Sequence, residues 1–260
     1  MTHRYLLIDI EGVLVVDKSY RPVPGAVAWL NGLADRGISW CLVSNNTTHR
    51  PADLVADLQR AGFMVHDHQL VGALGTAVAL LQERNCRRLG WLGAPALTPW
   101  WSEMGFELVP DTDEICDAVV LGVSPGLDLP QLDLAMARLR QGAALVCLHR
   151  NRFWLDADGR PRLGPGAMAA ALEMAVPGLV TFTAGKPEPA VYHAALNSLG
   201  GNPAEALFIS DDPFTDLVGA RNLGMATAFV LSGKYSDREV LEELPPHLRP
   251  DLVLPGPDQL

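Results

Sequence analysis

The sequence predicts an α/β protein: a Rossmann-like parallel sheet with crossover helices, into which a second α/β unit is inserted. Three observations carry this. Short apolar runs of strand length alternate with longer segments whose apolar residues recur at helical spacing, the pattern of a parallel sheet. Polar and acidic residues gather where several runs end, at Asp9 and Glu11, at Ser44 and Asn45, and at Ser210, Asp211 and Asp212. In open α/β sheets, ligands sit outside the carboxyl ends of the strands. The middle of the chain repeats the alternation without carboxylates at its strand ends. Residues 1–72 and 182–260 are therefore assigned to one unit and 73–181 to the other, about 110 residues and the size of a small domain.

Tyr5–Ile8 is the first strand, and Asp9 and Glu11 lie just beyond it. Two apart, they share a face while the backbone stays extended; Gly12 then lets the chain turn or a ligand approach. The plainer reading is two acids that simply end a strand. A loop from 17 to 23 leads through Pro24-Gly25 into a helix ending at Arg36. Ala26, Trp29, Leu30 and Leu33 lie on one face of it, and Gly37 is its stop. Strand 38–43 ends at Ser44-Asn45-Asn46, and Pro51 opens a helix to Ala61. In the middle unit, helices are expected over 73–83, 97–104, 129–141 and 166–175. Strands are expected over 88–92, 116–121 and 144–148, with a loop from Asn151 to Gly164. The first style then returns: Gly185-Lys186-Pro187, helix 189–199 and strand 206–209. A helix begins at Thr215-Asp216 and stops at Gly224, followed by strand 226–231, helix 237–244 and strand 251–254. Asp9, Glu11, Ser44, Asn45, Lys186, Asp211 and Asp216 are thus expected on one rim.

Composition narrows the function. Of 260 residues, 48% are hydrophobic and 19% charged, which suits a filled core rather than disorder. A formal charge of −10 argues against an electrostatic grip on nucleic acid or an anionic membrane. No apolar run reaches membrane-spanning length, and the opening residues lack the three regions of a signal peptide. Cys41, Cys86, Cys116 and Cys147 lie far apart, three of them in apolar runs. Reduced thiols in a cytoplasmic protein are the expectation.

Carboxylates from two strands, one lysine and a hydroxyl–amide pair suit a phosphoryl group held with magnesium. That ion takes one or two carboxylates plus phosphate and water. Lys186 offsets charge on the equatorial oxygens, and Ser44 and Asn45 can donate to them. His66 and His68 are spaced like a ligand pair on a strand, but without a third ligand they read as surface histidines. Trp100 and Trp101 are adjacent on a helix and are not expected both to face inward, which puts one at an interface. Gly164-Pro165-Gly166 reads as a substrate-facing turn of the middle unit rather than a dinucleotide turn. Asp212 reads as a helix N-cap and Asp211 as the ligand.

Four stretches, in order, resemble the haloacid dehalogenase-like (HAD) hydrolase superfamily: Asp9-Ile10-Glu11-Gly12-Val13, Leu42-Val43-Ser44-Asn45-Asn46, Gly185-Lys186-Pro187 and Ser210-Asp211-Asp212-Pro213-Phe214-Thr215-Asp216. The insert between the second and third sits where that superfamily carries a type 2 (C2) cap. Gly93-Ala94-Pro95-Ala96-Leu97, Asp117–Gly122, Asn151 and Leu163–Ala167 resemble the cap of the NagD-like and p-nitrophenylphosphatase subfamily, which also includes the phospholysine/phosphohistidine pyrophosphate phosphatases. The resemblance implies Asp9 as a nucleophile forming an aspartyl-phosphate, and Glu11 as the acid and base. Ser44, Asn45 and Lys186 would hold the phosphoryl group. Magnesium would lie on Asp9, the Glu11 carbonyl and Asp211, with Asp216 behind them. Asn151, Pro165 and Gly166 would face a small phosphate ester. A homodimer is compatible by analogy. Two positions depart from the family: Ser210 replaces its usual glycine, and Glu11 its usual aspartate. Glu11 is the ground for an alternative, a binding or regulatory protein on a phosphatase scaffold. Metal-free carbon–halogen hydrolysis by Asp9 is a third reading, which the cap disfavours.

Overall fold

The computed structural model describes residues 3–16, 19–112, 114–155 and 160–260, with the backbone alone at 155. Two residues of the expected 17–23 loop and four of the 151–164 loop lie outside these. The strands are β1 (Tyr5–Ile8), β2 (Ser39–Ser44), β3 (Leu70–Gly72), β4 (Arg88–Leu92), β5 (Glu107–Leu108), β6 (Ala118–Leu121), β7 (Ala144–Cys147), β8 (Phe153–Leu155), β9 (Pro161–Leu163), β10 (Thr181–Thr183), β11 (Ala206–Ser210), β12 (Ala226–Val230) and β13 (Leu252–Leu254). The α-helices are α1 (Ala26–Asn31), α2 (Pro51–Arg60), α3 (Ala73–Glu83), α4 (Thr98–Glu103), α5 (Leu129–Arg140), α6 (Pro165–Ala175), α7 (Pro189–Leu199) and α8 (Val218–Asn222).

The chain divides into two compact units. One holds Met1–Ser44, Pro51–Gly72 and Lys186–Leu260; the other holds Asn45–Arg50 and Ala73–Gly185. In the first, six parallel strands run in the order β13-β12-β11-β1-β2-β3. From β1 the order runs to β2 on one side and to β11 on the other, so the switch point lies at β1/β11. Ile8 is level with Ile209 and Leu42, which brings the carboxyl ends of these strands out together. Both faces of the sheet are covered. Leu6 and Ile8 pack with Leu30 and Leu54, while Tyr5 and Leu7 pack with Val191, Tyr192 and Leu196. Burial on both faces is why these strands read as continuous apolar runs.

The second unit has a five-stranded parallel sheet, β10-β7-β6-β4-β5, and the antiparallel hairpin β8-β9. Trp101 anchors one core cluster, with ring centroids 5.4 Å from Trp91 and 5.7 Å from Phe106. Trp100, 5.0 Å from Trp101, is buried too, which corrects the expectation of an interface tryptophan. Neighbours on a helix are separated by about 100°, and a core-facing stripe can be that wide.

Several elements differ from their sequence reading. α1 stops at Asn31, whose side chain is engaged by the Gly62 carbonyl and the Met64 amide, and a turn carries the chain to Gly37 at φ 68°. The helix after β11 starts with a π turn at Pro213–Leu217, before α8, and the expected helix over 237–244 is a 3-10 segment, Arg238–Glu243. His66 and His68 are not on a strand: His66 precedes a 3-10 turn, and the two rings stack at 5.6 Å. All four cysteines are free; burial pushes the Cys41 thiol up to about 11 and Cys147 to about 12. Among the described residues, no helix is long and apolar enough to cross a membrane.

Candidate active site

The first unit brings its charged residues together at the carboxyl ends of β1 and β11. The Asp9 amide donates to the Ile209 carbonyl at 2.9 Å, extending the ladder one residue past β1 and fixing where the carboxylate emerges. Asp9 Oδ1 accepts from its neighbour Ile10 N at 2.9 Å and from Lys186 Nζ at 2.7 Å. Lys186, only 1% exposed, lies between Asp9 and Asp216, whose Oδ2 is 2.5 Å away. Burial opposes the charge on Lys186, but Asp216 and then Asp9 outweigh it and hold its pKa above the usual lysine value. Burial likewise pushes the Asp216 carboxyl up, with Lys186 pulling it back. The Asp216 carbonyl accepts from Tyr192 Oη at 2.8 Å, which ties the π turn to α7.

Asp211 follows β11 and is held in a slot between two glycines. A Cβ on Gly12 would lie 2.0 Å from Asp211 Oδ2, and one on Gly233 would lie 2.1 Å from it. Gly12 also has φ +81°. The Lys234 amide donates to Asp211 Oδ2 at 2.6 Å, and Ser232 Oγ to the Gly12 carbonyl at 2.7 Å. Burial first, then Asp9, pushes the Asp211 carboxyl well above its ordinary value. Asp212 N-caps the π turn through Phe214 N and Thr215 N, and its other oxygen meets Lys234 Nζ at 2.9 Å.

Glu11 is half-buried in a tight turn where the Ile10 carbonyl accepts from Leu14 N at 2.8 Å and Val15 N at 3.1 Å. The backbone therefore leaves the extended form before Glu11, and strand alternation does not set its direction. Ser44 is buried at the end of β2. Asn45 belongs to the second unit, where its Nδ2 donates to Asn151 Oδ1 at 3.3 Å. Pro165 opens α6. Packing accounts for Gly166, since a Cβ there would lie 2.3 Å from the Arg150 carbonyl oxygen.

Sequence reasoning missed Lys234, Ser232 and Gly233. A signal was present: the apolar run of β12 ends in Ser232-Gly233-Lys234, as the runs of β1 and β11 end in polar residues. With this loop included, the cluster holds Asp9, Asp211, Asp212 and Asp216 against Lys186 and Lys234, a formal excess of two acidic groups. That excess, largely buried, suits a divalent cation. No three His, Cys, Asp or Glu side chains converge on one point among the described residues. The carboxylates of Asp9 and Asp211 bring oxygen to this cluster, the donor type that magnesium prefers beside water and phosphate.

A family model described as haloacid dehalogenase-like hydrolase matches residues 6–107, and one described as HAD-hydrolase-like matches residues 183–258. The chain is 32% identical to the human haloacid dehalogenase-like hydrolase domain-containing protein 2, over 94% of this chain and 90% of that protein. It is 27% identical to the ribonucleotide monophosphatase NagD of Escherichia coli K12, covering 98% of this chain and 97% of NagD. The solved NagD structure matches with a TM-score of 0.82, over 100% of this chain and 99% of that one, at 26% identity. A glycerol phosphate phosphatase of Mycobacterium tuberculosis, solved in complex with magnesium, matches with a TM-score of 0.79 and 27% identity, over 97% of this chain and 74% of that one.

Proposed function

The chain belongs to the haloacid dehalogenase-like hydrolases, in the NagD-like group, and from that premise we propose that it is a magnesium-dependent phosphatase of small phosphate monoesters. The observation that carries this reading is Asp9, buried at the end of a central strand with Lys186 at 2.7 Å, in a cluster of four aspartates and two lysines. One Asp9 oxygen attacks phosphorus while the bond to the leaving oxygen breaks, and Glu11 gives that oxygen a proton. Glu11, now a carboxylate, takes a proton from water, whose oxygen attacks the same phosphorus. The bond to Asp9 then breaks, inorganic phosphate leaves, and the Asp9 carboxylate is restored. Lys186 holds Asp9 and offsets phosphoryl charge, with Ser44 and Asn45 as further donors. Asp9, the Glu11 carbonyl and Asp211 would hold magnesium, and Asp216 would orient Lys186 behind them. The bound metal would neutralise charge on the phosphoryl oxygens. By the family resemblance the second unit would serve as a C2-type cap, with Asn151, Pro165 and Gly166 as its substrate residues, a reading that favours small soluble esters.

Turnover of p-nitrophenyl phosphate with and without magnesium tests this. Wild-type protein is expected to turn over only with the metal, and Asp9→Asn, nearly isosteric, to be inactive yet folded. Wild-type turnover no higher than that control, with ligand affinity retained, would instead favour the binding-protein reading that Glu11 suggests.

A further inference from the structure

Ser210 closes β11 and is wholly buried. Its hydroxyl accepts from Asp212 N at 3.1 Å, donates to Asp216 Oδ2 at 2.8 Å and lies 3.3 Å from Asp9 Oδ2. A hydroxyl has one proton and two lone pairs. The Asp212 amide fills one lone pair, so the hydroxyl is aimed by the backbone, and the shorter of its two carboxylate contacts takes the proton. The glycine that the family resemblance leads one to expect cannot make this link.

We infer that Ser210 is a positioning residue for the reaction at Asp9. It fixes one Asp216 oxygen, which in turn sets the Lys186 ammonium against Asp9. This rests on the reading of Asp9 as the nucleophile. Lys186 is a point charge on a flexible stem, and its Nζ meets the same Asp216 Oδ2 that Ser210 holds. Without the hydroxyl, Asp216 loses its second donor and the buried Asp212 amide loses its side-chain acceptor. That oxygen is then held by Lys186 alone, and carboxylate and ammonium can shift together. A misplacement of about 1 Å at a reacting centre can cost about a hundredfold in rate, so a smaller shift is expected to cost about tenfold. Substrate binding draws on Ser44 and Asn45 as well as Lys186, so KM is expected to move less than kcat.

The test compares wild type, Ser210→Ala, Ser210→Thr and Asp9→Asn on p-nitrophenyl phosphate with magnesium, with a thermal melt of each. Ser210→Ala is expected to lower kcat about tenfold, leave KM within about twofold and melt within a few degrees of wild type. Ser210→Thr, which restores the hydroxyl, is expected to recover most of kcat. An unchanged kcat in Ser210→Ala overturns the inference. So does a loss that appears only together with a large drop in melting temperature, because Ser210 would then be packing alone. If turnover is lost in Asp9→Asn yet untouched in Ser210→Ala, this inference alone fails. Turnover that survives Asp9→Asn, or is absent from wild type, removes the nucleophile reading and this inference with it.

Discussion

One methylene separates Glu11 from the aspartate that the family resemblance leads one to expect. The structure changes how that methylene is weighed. The chain is already turning at Ile10, so the reach of Glu11 is set by the turn that the Ile10 carbonyl closes, not by the pleat of β1. Aryl phosphates leave with little need of a proton, and alkyl phosphates need one. Glu11→Asp is therefore expected to raise kcat/KM on an alkyl or sugar phosphate by up to about tenfold more than on p-nitrophenyl phosphate. A loss on every substrate would show that the glutamate is fitted to this turn. Much of the site was legible at this scale, because polar residues at the ends of buried apolar runs are conspicuous. Asp9 and Asp211 were read that way, whereas Lys186 and Asp216 were read from the short polar stretches that precede or open a helix. Lys234 was not, because it follows a strand whose end carries no acid, and a lone lysine in a loop reads as solvated. The partition of Ser44 from Asn45 was not legible either: adjacent residues gave no sign that a boundary between units falls between them.

Among the elements, β4 and β6 are stitched at their starts by Asp117. Its Oδ2 accepts from Arg87 N at 2.7 Å and Arg88 N at 2.8 Å, and its own amide donates to the Arg88 carbonyl. The Arg88 and Arg87 amides hold the Asp117 carboxyl below its ordinary value. A carboxylate with a depressed folded pKa stabilises above its unfolded pKa and loses that contribution as pH falls through the folded value. Asp117 is exposed, so screening keeps the effect to about 1 kcal/mol. Asp117→Asn is expected to unfold at lower urea than wild type at neutral pH, and the gap is expected to close in acid, as pH falls below the ordinary aspartate pKa of about 3.9 and the carboxylate protonates. Equal gaps at both pH values would assign the effect to packing. Long elements were readable from sequence; β3, β5 and β10, of two or three residues, were not. Elements that short show no periodicity, and only pairing with a longer neighbour makes them strands. The hairpin β8-β9 was hidden for the same reason inside an arginine-rich loop.

Across the molecule, a net charge of −10 and a buried cluster short of positive charge mean that a divalent cation should stabilise the fold as well as serve the reaction. Magnesium at about one hundred times its Kd is expected to add about 2.7 kcal/mol by mass action, read as a rise in Tm that a chelator reverses. Asp211→Ala should abolish the rise. Asp212→Ala should keep it, while losing a helix cap worth about 0.5–2 kcal/mol. The reverse order would shift the metal ligand to Asp212. The slot around Asp211 also has a consequence for how this sequence can diverge. Gly12, Asp211 and Gly233 come from remote parts of the chain, yet each occupies the space another would need. A Cβ on Gly233 would meet not only Asp211 but also the Gly12 Cα, at 2.5 Å. No side-chain substitution at 211 removes a backbone atom at 12. In a saturation library, every non-glycine residue at 233 should be depleted in the wild-type background and equally in an Asp211→Ala background. Rescue in the second background would show that the carboxylate alone sets the constraint. If there is none, the backbone at 12 alone keeps position 233 as glycine, and drift at 211 cannot release it.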